Sequence, residues 1–322
     1  MATFIFSVLG ILLVLFVMGL FVVPVKTSSL CSYPHPVLDY KESIRLIEKK
    51  MEEEKNVAGL AEHGHTLFMT HGTKTQHAIV FYHGFTNCPR QFTELAKRFF
   101  EKGYNVYVPR LRYHGMEDRY TKKIGKLTLE EIREMCDVSV DIARGLGEKV
   151  NVLGLSLGGV MAAFNAQFRD DVNCAVVIVP SFSWYFLPGI IKPLINFTYF
   201  MPNIFIWWDP VQKEKRVCPF SMYHHFPLRP MGHIYRLGLT VLRAAKDKAP
   251  LAKKIVAMTN EMDIAVDEAT TRNLIRRWRA KGAKVNFYQF SKELKMEHDV
   301  IDPLHPYEQT EFVYRKILEY VA

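Results

Sequence analysis

Residues 154–158 read Gly-Leu-Ser-Leu-Gly, directly behind an apolar run at 150–155 and directly ahead of a helical stretch at 157–168. A strand that enters a helix through so tight a turn leaves room only for small residues two positions either side of its centre. The central residue is pushed into a strained backbone conformation. This strand–turn–helix setting is the one a G-x-S-x-G nucleophile elbow requires, and it would present the Ser156 hydroxyl above the end of a sheet. The bland alternative is a glycine-rich strand–helix turn that happens to hold a serine.

The rest of the chain supplies the sheet. Strand-like runs fall at residues 77–83, 104–109, 150–155, 173–179, 253–258 and 284–290. Helical runs alternate with them. Residues 39–55 carry Ile44, Leu46, Ile47 and Met51 among charges, and residues 89–102 set Phe92, Leu95, Phe99 and Phe100 on one face ahead of Gly103. A long helix begins at Thr128, with Glu131 placed to complete a capping box, and ends at Gly145 or Gly147. Further helices are expected at 268–281 and 307–320. Such alternation predicts an α/β chain with a mainly parallel sheet covered by helices on both faces. Residues 181–250 break the pattern with Trp184-Tyr185-Phe186, Phe197, Tyr199-Phe200, Trp207-Trp208, Phe220, Tyr223 and Phe226. They read as a cap inserted between the two parts of the core, 31–180 and 251–322. Most of these rings are expected to form the cap's own interior, and a minority to line an apolar pocket.

Residues 4–25 are almost wholly apolar and carry no charge. About 20 such residues suffice to cross a bilayer as a helix. A cleaved signal peptide, which would leave the protein secreted, usually has a basic start and a shorter run. This one has no Lys or Arg ahead of it, so an uncleaved membrane anchor is favoured, although Lys26-Thr27-Ser28-Ser29 offers a place for cleavage. Cys31 follows Leu30, which does not fit a lipoprotein pattern. Residues 1–30 are thus read as anchor and start of linker, and residues 31–36 as linker. Lys26 against the terminal amine is the whole charge bias of the two flanks. Taken literally it places the catalytic domain in the cytoplasm.

Composition excludes several classes. The net charge of the 322 residues is +9, but the cations are scattered among acids, as in Glu48-Lys49-Lys50-Met51-Glu52, and no basic block interleaves with aromatics. Nucleic-acid binding is not expected; weak attraction to anionic headgroups is. The five cysteines (Cys31, Cys88, Cys136, Cys174, Cys218) form no CxxC pair and no disulfide framework. His63, His65 and His71, and His224-His225, have neither ligand spacing nor an HExxH arrangement, so no metal or other cofactor is expected. Asn196-Phe197-Thr198 matches a glycosylation acceptor, of consequence only in a eukaryotic secretory setting.

A serine needs a base, and the base an orienting acid. Chain order behind such an elbow is serine, acid, histidine. Asp263 follows the strand at 253–258, with Glu261 and Asp267 as runners-up. His298 follows the last strand and precedes the final helix, while its competitor His305 abuts that helix at Pro306. Two backbone N–H groups must face the developing oxyanion. Leu157, immediately after the nucleophile, supplies one. Phe85, behind the strand ending His83-Gly84, supplies the other. His83 is read as shaping that loop, without a proton-transfer role.

His83-Gly84-Phe85-Thr86-Asn87-Cys88-Pro89 resembles the HGFTGSP-type loop of bacterial carboxylesterases and monoacylglycerol lipases. Residues 109–115 resemble the P-x-L-x-G-H-G segment of the same group, with Tyr113 in place of a glycine. The resemblance covers about residues 75–320 and is weakest in the cap. It implies the α/β-hydrolase fold and carboxylic ester hydrolysis, with Ser156, Asp263 and His298 matching the triad. Asn87 and Cys88 depart from the loop pattern, and the cap is longer and more aromatic than in small carboxylesterases; both bear on the substrate rather than the reaction. A thioesterase, peptidase or acyltransferase would keep the same triad. Haloalkane dehalogenases and epoxide hydrolases use an aspartate where this chain has Ser156. A non-catalytic binding protein of this fold would usually have lost a triad member.

Overall fold

Strands buried on both faces must be apolar throughout rather than alternating, and the central strands of this chain are. In the computed structural model, which describes residues 2–27, 29–187 and 189–321, the elements run in order α1 (Ala2–Val22), α2 (Tyr40–Lys55), β1 (Leu67–Met69), β2 (Thr75–Tyr82), α3 (Thr93–Glu101), β3 (Asn105–Val108), α4 (Leu129–Leu146), β4 (Gly147–Leu155), α5 (Leu157–Phe168), β5 (Val172–Ile178), α6 (Ile191–Phe200), β6 (Phe205–Trp207), β7 (His225–Pro227), α7 (Leu228–Asp247), β8 (Lys254–Asn260), α8 (Glu268–Ala280), β9 (Val285–Phe290) and α9 (Thr310–Val321). Seven strands form one sheet in the order β1-β3-β2-β4-β5-β8-β9, parallel except for β1. The pairings Tyr82 with Gly154, Leu155 with Ile178, Ile178 with Met258 and Asn260 with Phe290 bring the carboxyl ends of five strands to one edge. The loops carrying the candidate residues leave from that edge.

Successive strand residues point to opposite faces. Val80 and Val152 join a core with α4, α5, α7 and α8. Ile79, Phe81, Leu153 and Leu155 join the other, with α3 and α9. Local chemistry explains most element ends. Thr128 and Glu131 form the capping box of α4, and the Asp39 carboxylate caps α2 by accepting from Glu42 N at 2.8 Å. The helix expected at 89–102 is a 3₁₀ turn over Pro89–Phe92 followed by α3. The last helix starts at Thr310 rather than residue 307, where the Glu308 carboxylate accepts from Thr310 N at 2.7 Å. The short β1 was not expected; it is held by antiparallel pairing to β3.

The segment read as a cap over 181–250 divides. Its first part holds α6 and the β6–β7 hairpin, in which Trp207 pairs with His225. Its second part, α7, packs against α4, α5 and α8 as well as α6. The apolar residues Ile234, Leu237, Val241 and Leu242 recur at helical spacing along the buried side of α7, which places it in the helical layer over the sheet.

Within α1, Phe4–Val22 is long and apolar enough, by length and composition, to cross a membrane. The linker expected behind it is strapped to the core. Val25 and Leu30 are buried. Arg243 Nη1 donates to Val25 O (2.7 Å) and Arg236 Nε to Lys26 O (2.8 Å). Ser32 Oγ and Tyr33 N both donate to the Asp137 carboxylate, and Val37 N donates to Asp141 O at 3.0 Å. Behind these, the fully buried Arg169 pairs with Asp141 and Asp171, each at 2.7 Å. A linker whose backbone has fixed partners is an extension of the fold. Of the four residues considered for cleavage, Ser28 lies outside the described residues.

Candidate active site

Ser156 sits between β4 and α5 with φ 60° and ψ −113°, a conformation disfavoured by roughly 1–3 kcal/mol for a residue with a side chain. Its neighbours impose it. A Cβ at Gly154 would run into the Gly158 carbonyl, and one at Gly158 into the Tyr82 carbonyl. Ser156 N donates to Ile178 O (3.0 Å) and Ser156 O accepts from Ser181 N (3.1 Å), so the loop behind β5 pins the turn.

Asp263 lies in the loop behind β8, nearly buried. Its Oδ1 accepts from Ala265 N and Val266 N at 2.8 and 3.2 Å. Its Oδ2 accepts from His298 Nδ1 at 2.6 Å. Asn260, the last residue of β8, donates through Nδ2 to Met296 O (2.9 Å) and Glu297 O (2.8 Å), which holds the histidine loop against the acid loop. Burial pushes the His298 imidazole towards its neutral form. The Asp263 charge and hydrogen bond, joined by the Asp299 charge, outweigh that and raise its pKa above the ordinary 6.5. With Nδ1–H committed to Asp263, Nε2 is the ring nitrogen left to accept a proton. The hydroxyl of Ser156 is not hydrogen-bonded to it here, a contact that commonly tightens only with substrate in place.

The runners-up are engaged elsewhere. Asp267 caps α8, accepting from Ala269 N and Thr270 N. Glu261 accepts from Lys292 N. His305 is buried with its Nε2 3.4 Å from the Glu297 carboxylate.

On the other side of Ser156, neither Phe85 N nor Leu157 N donates a hydrogen bond among the described residues. The Phe85 loop is held from three directions. Gly84 N donates to Gln91 Oε1 at 2.8 Å, and Gln91 Nε2 donates to Asp299 Oδ2 at 2.7 Å, tying the loop to the residue next to His298. His83 uses Nδ1 on Gly84 O and accepts from Leu111 N through Nε2; burial and neighbouring His114 keep its pKa well below the usual value. His114 Nε2 donates to Phe85 O at 2.6 Å. Tyr113, which stands at the glycine of the resembled segment, keeps a left-handed φ of 67°.

Sequence reasoning missed Asn260 and Gln91, buried amides outside any motif. Asn87 had stood out only as a departure. Its Oδ1 accepts from Cys88 N (2.9 Å) and from the cap's Ser221 Oγ (3.0 Å), so it joins the loop to the cap.

Three cap aromatics adjoin these loops. Trp208 donates from Nε1 to Thr86 Oγ1 at 3.0 Å, one residue past Phe85. Trp184 bridges Val266 in the acid loop. Both rings contact Phe226, with centroids 4.4 and 6.2 Å away. Trp207 instead packs with Tyr120 and His225. Of the histidines weighed as ligands, His63 packs on Phe220, His71 on Phe100 and His224 on Tyr120, while His65 Nδ1 lies 3.7 Å from the Glu54 carboxylate. Asn196 is buried, with Nδ2 donating to Leu20 O and Val23 O, so the acceptor pattern there presents no accessible amide.

Residues 77–204 match the family model of the alpha/beta hydrolase fold. Solved structures extend the likeness over most of the chain. A monoacylglycerol lipase of Paleococcus ferrophilus superposes with a TM-score of 0.62 at 17% identity, covering 80% of this chain and 97% of that one. The chain has the α/β-hydrolase fold. A soluble variant of the monoglyceride lipase of Saccharomyces cerevisiae superposes on this α/β-hydrolase chain with a TM-score of 0.59 at 13% identity, over 80% of this chain and 90% of that one. In sequence, the thermostable monoacylglycerol lipase of Bacillus sp. (strain H-257) is 26% identical over 99 residues, 31% of this chain. The aligned stretch spans 38% of that relative's length.

Proposed function

We propose that this α/β-hydrolase chain is a membrane-anchored serine hydrolase that cleaves carboxylic esters with apolar acyl or alkyl chains. The observation that carries the reading is the 2.6 Å His298–Asp263 pair on the same strand edge as the strained Ser156. His298 Nε2 takes the Ser156 proton as Oγ attacks the ester carbon. The carbonyl electron pair moves onto oxygen, facing Phe85 N–H and Leu157 N–H. Collapse breaks the bond to the alcohol, which leaves with the proton from His298. Water, deprotonated by the same nitrogen, then releases the acid and restores Ser156. The Trp184–Phe226–Trp208 wall spans from the acid loop to the oxyanion loop and supports an apolar chain as the occupant, as do the lipase names of the relatives. Each methylene buried there would contribute about 0.8 kcal/mol. α1 supports the anchor, because buried Asn196 of the folded domain hydrogen-bonds its last carbonyls.

The test is labelling with a fluorophosphonate probe, followed by kcat/KM across acetate, butyrate, octanoate and palmitate esters. Labelling is expected to require Ser156, and kcat/KM to rise from acetate towards the longer chains. Labelling that persists in Ser156→Ala would overturn the mechanism. A steady fall from acetate onward would overturn the apolar pocket.

A further inference from the structure

α1 remains in contact with the folded domain over its last turns. Lys192 Nζ, at the start of α6, donates to Phe21 O at 2.6 Å. One turn on, Asn196 Nδ2 donates to Leu20 O and Val23 O, each at 2.8 Å. Further on still, the rings of Phe197 and Phe200 meet that of Phe16, with centroids 6.5 Å apart in both pairs. Numbers rise along α6 as they fall along α1, so the two helices lie antiparallel. The polar bonds satisfy carbonyls that a helix end otherwise leaves open.

Length then becomes decisive. The 19 residues Phe4–Val22 make roughly 28 Å of helix at 1.5 Å per residue, and a hydrocarbon core is about 30 Å thick. There is none to spare. If the part packed on α6 lay in water, only residues 4–15 would remain, roughly 18 Å of helix. α1 can therefore cross only if the end of α6 that faces Phe16 enters the bilayer with it.

That end is suited to do so. Phe200 is 60% exposed, Tyr199 44% and Ile204 43%, and α6 has no charge after Lys192. Polar backbone in lipid must find partners, and several groups at this end have them. Met201 N donates to Phe197 O, Leu228 N to Ile204 O, and Arg229 Nη2 to Met201 O at 3.2 Å. Lys26, Lys192 and Arg236 gather near the C-terminal end of α1, where long cationic side chains can reach headgroups.

We propose that the C-terminal half of α6 is immersed in the same lipid leaflet as the last turns of α1, so that the cap has its own seat in the acyl-chain region. This rests on the anchor reading. β6 and Trp208 follow α6 directly, so an ester drawn from the leaflet would meet the aromatic wall without passing through bulk water.

The test uses the full chain in phosphatidylcholine vesicles, with Cys31→Ser and Cys218→Ser removing the partly exposed thiols; Cys88, Cys136 and Cys174 are buried. An environment-sensitive fluorophore is placed in turn at Leu12→Cys, Phe200→Cys and Lys281→Cys, and circular dichroism melts confirm folding. Lys281 follows α8 at the opposite edge of the sheet. Spin-labelled lipid is expected to quench the probes at 12 and 200, with blue-shifted emission, and to leave 281 untouched. Quenching at 12 with a wet probe at 200 would overturn the immersion and leave the anchor standing. A wet probe at 12 would remove the anchor reading and the inference with it.

Discussion

The loops behind β8 and β9 and the cap above them are neighbours held by different forces. The loops are fixed by buried, directional hydrogen bonds: Asn260 to two carbonyls, Gln91 between Gly84 N and Asp299, and Asp263 to two amides and His298. In a low-dielectric interior such bonds are strong and set distances closely. The cap's inner side is built from ring contacts among Trp184, Phe226, Tyr235 and Trp208, which tolerate sliding and repacking. Under the proposed function, proton transfer would need the first kind of support, and admitting acyl chains of several lengths the second.

Five variants bear on that division. The largest effect is expected from Ser156→Ala, a fall in ester turnover of about 10⁴-fold or more with an unchanged melting curve; retained turnover in a folded variant would break the assignment. Asp263→Asn should lower kcat by about 10⁴-fold through the wrong imidazole tautomer. Asp267→Ala should leave kcat near normal and lower stability by about 1 kcal/mol as a lost helix cap. The raised pKa of His298 adds a pH signature. The base works only when neutral, so the acid limb of kcat/KM should turn above 6.5, and Asp263→Asn should move it to lower pH.

Trp208→Ala tests the other side of the comparison. It should lower kcat/KM for octanoate esters by roughly 10- to 100-fold while acetate changes only a few-fold. Equal losses on both would mean that the cap takes part in the chemistry. Gln91→Leu should give about a 10-fold fall in kcat with KM little changed, since the loop carrying Phe85 loses its tie to Asp299. A KM effect alone would assign Gln91 to binding.

The tight strand–helix turn at Ser156 and the cap of α4 were legible because each rests on local sterics or capping that few residues satisfy. β1 was not, because three residues carry no periodicity and its pairing partner lies far along the chain. Sequence pattern alone gives no division of 181–250 at α7, because an amphipathic helix looks the same whether it covers a sheet or closes a lid. Asn260 and Gln91 left no trace, since a buried amide is recognisable only by the two loops it joins. Tyr113 shows the converse, a residue that departs from the pattern while its backbone takes the left-handed φ that glycine favours.

The strap between α1 and α2 has a consequence for encounter. A flexible segment of its length would let the domain wander over roughly 20 Å. With Arg236, Arg243, Asp137 and Asp141 holding successive stretches of it, that freedom is gone. On the proposed anchor reading, a domain so mounted would present one side to its own leaflet and meet substrate by lateral diffusion in a plane. Its velocity should then follow the mole fraction of ester in the bilayer and fall on dilution with inert lipid, whatever the volume of water around the vesicle.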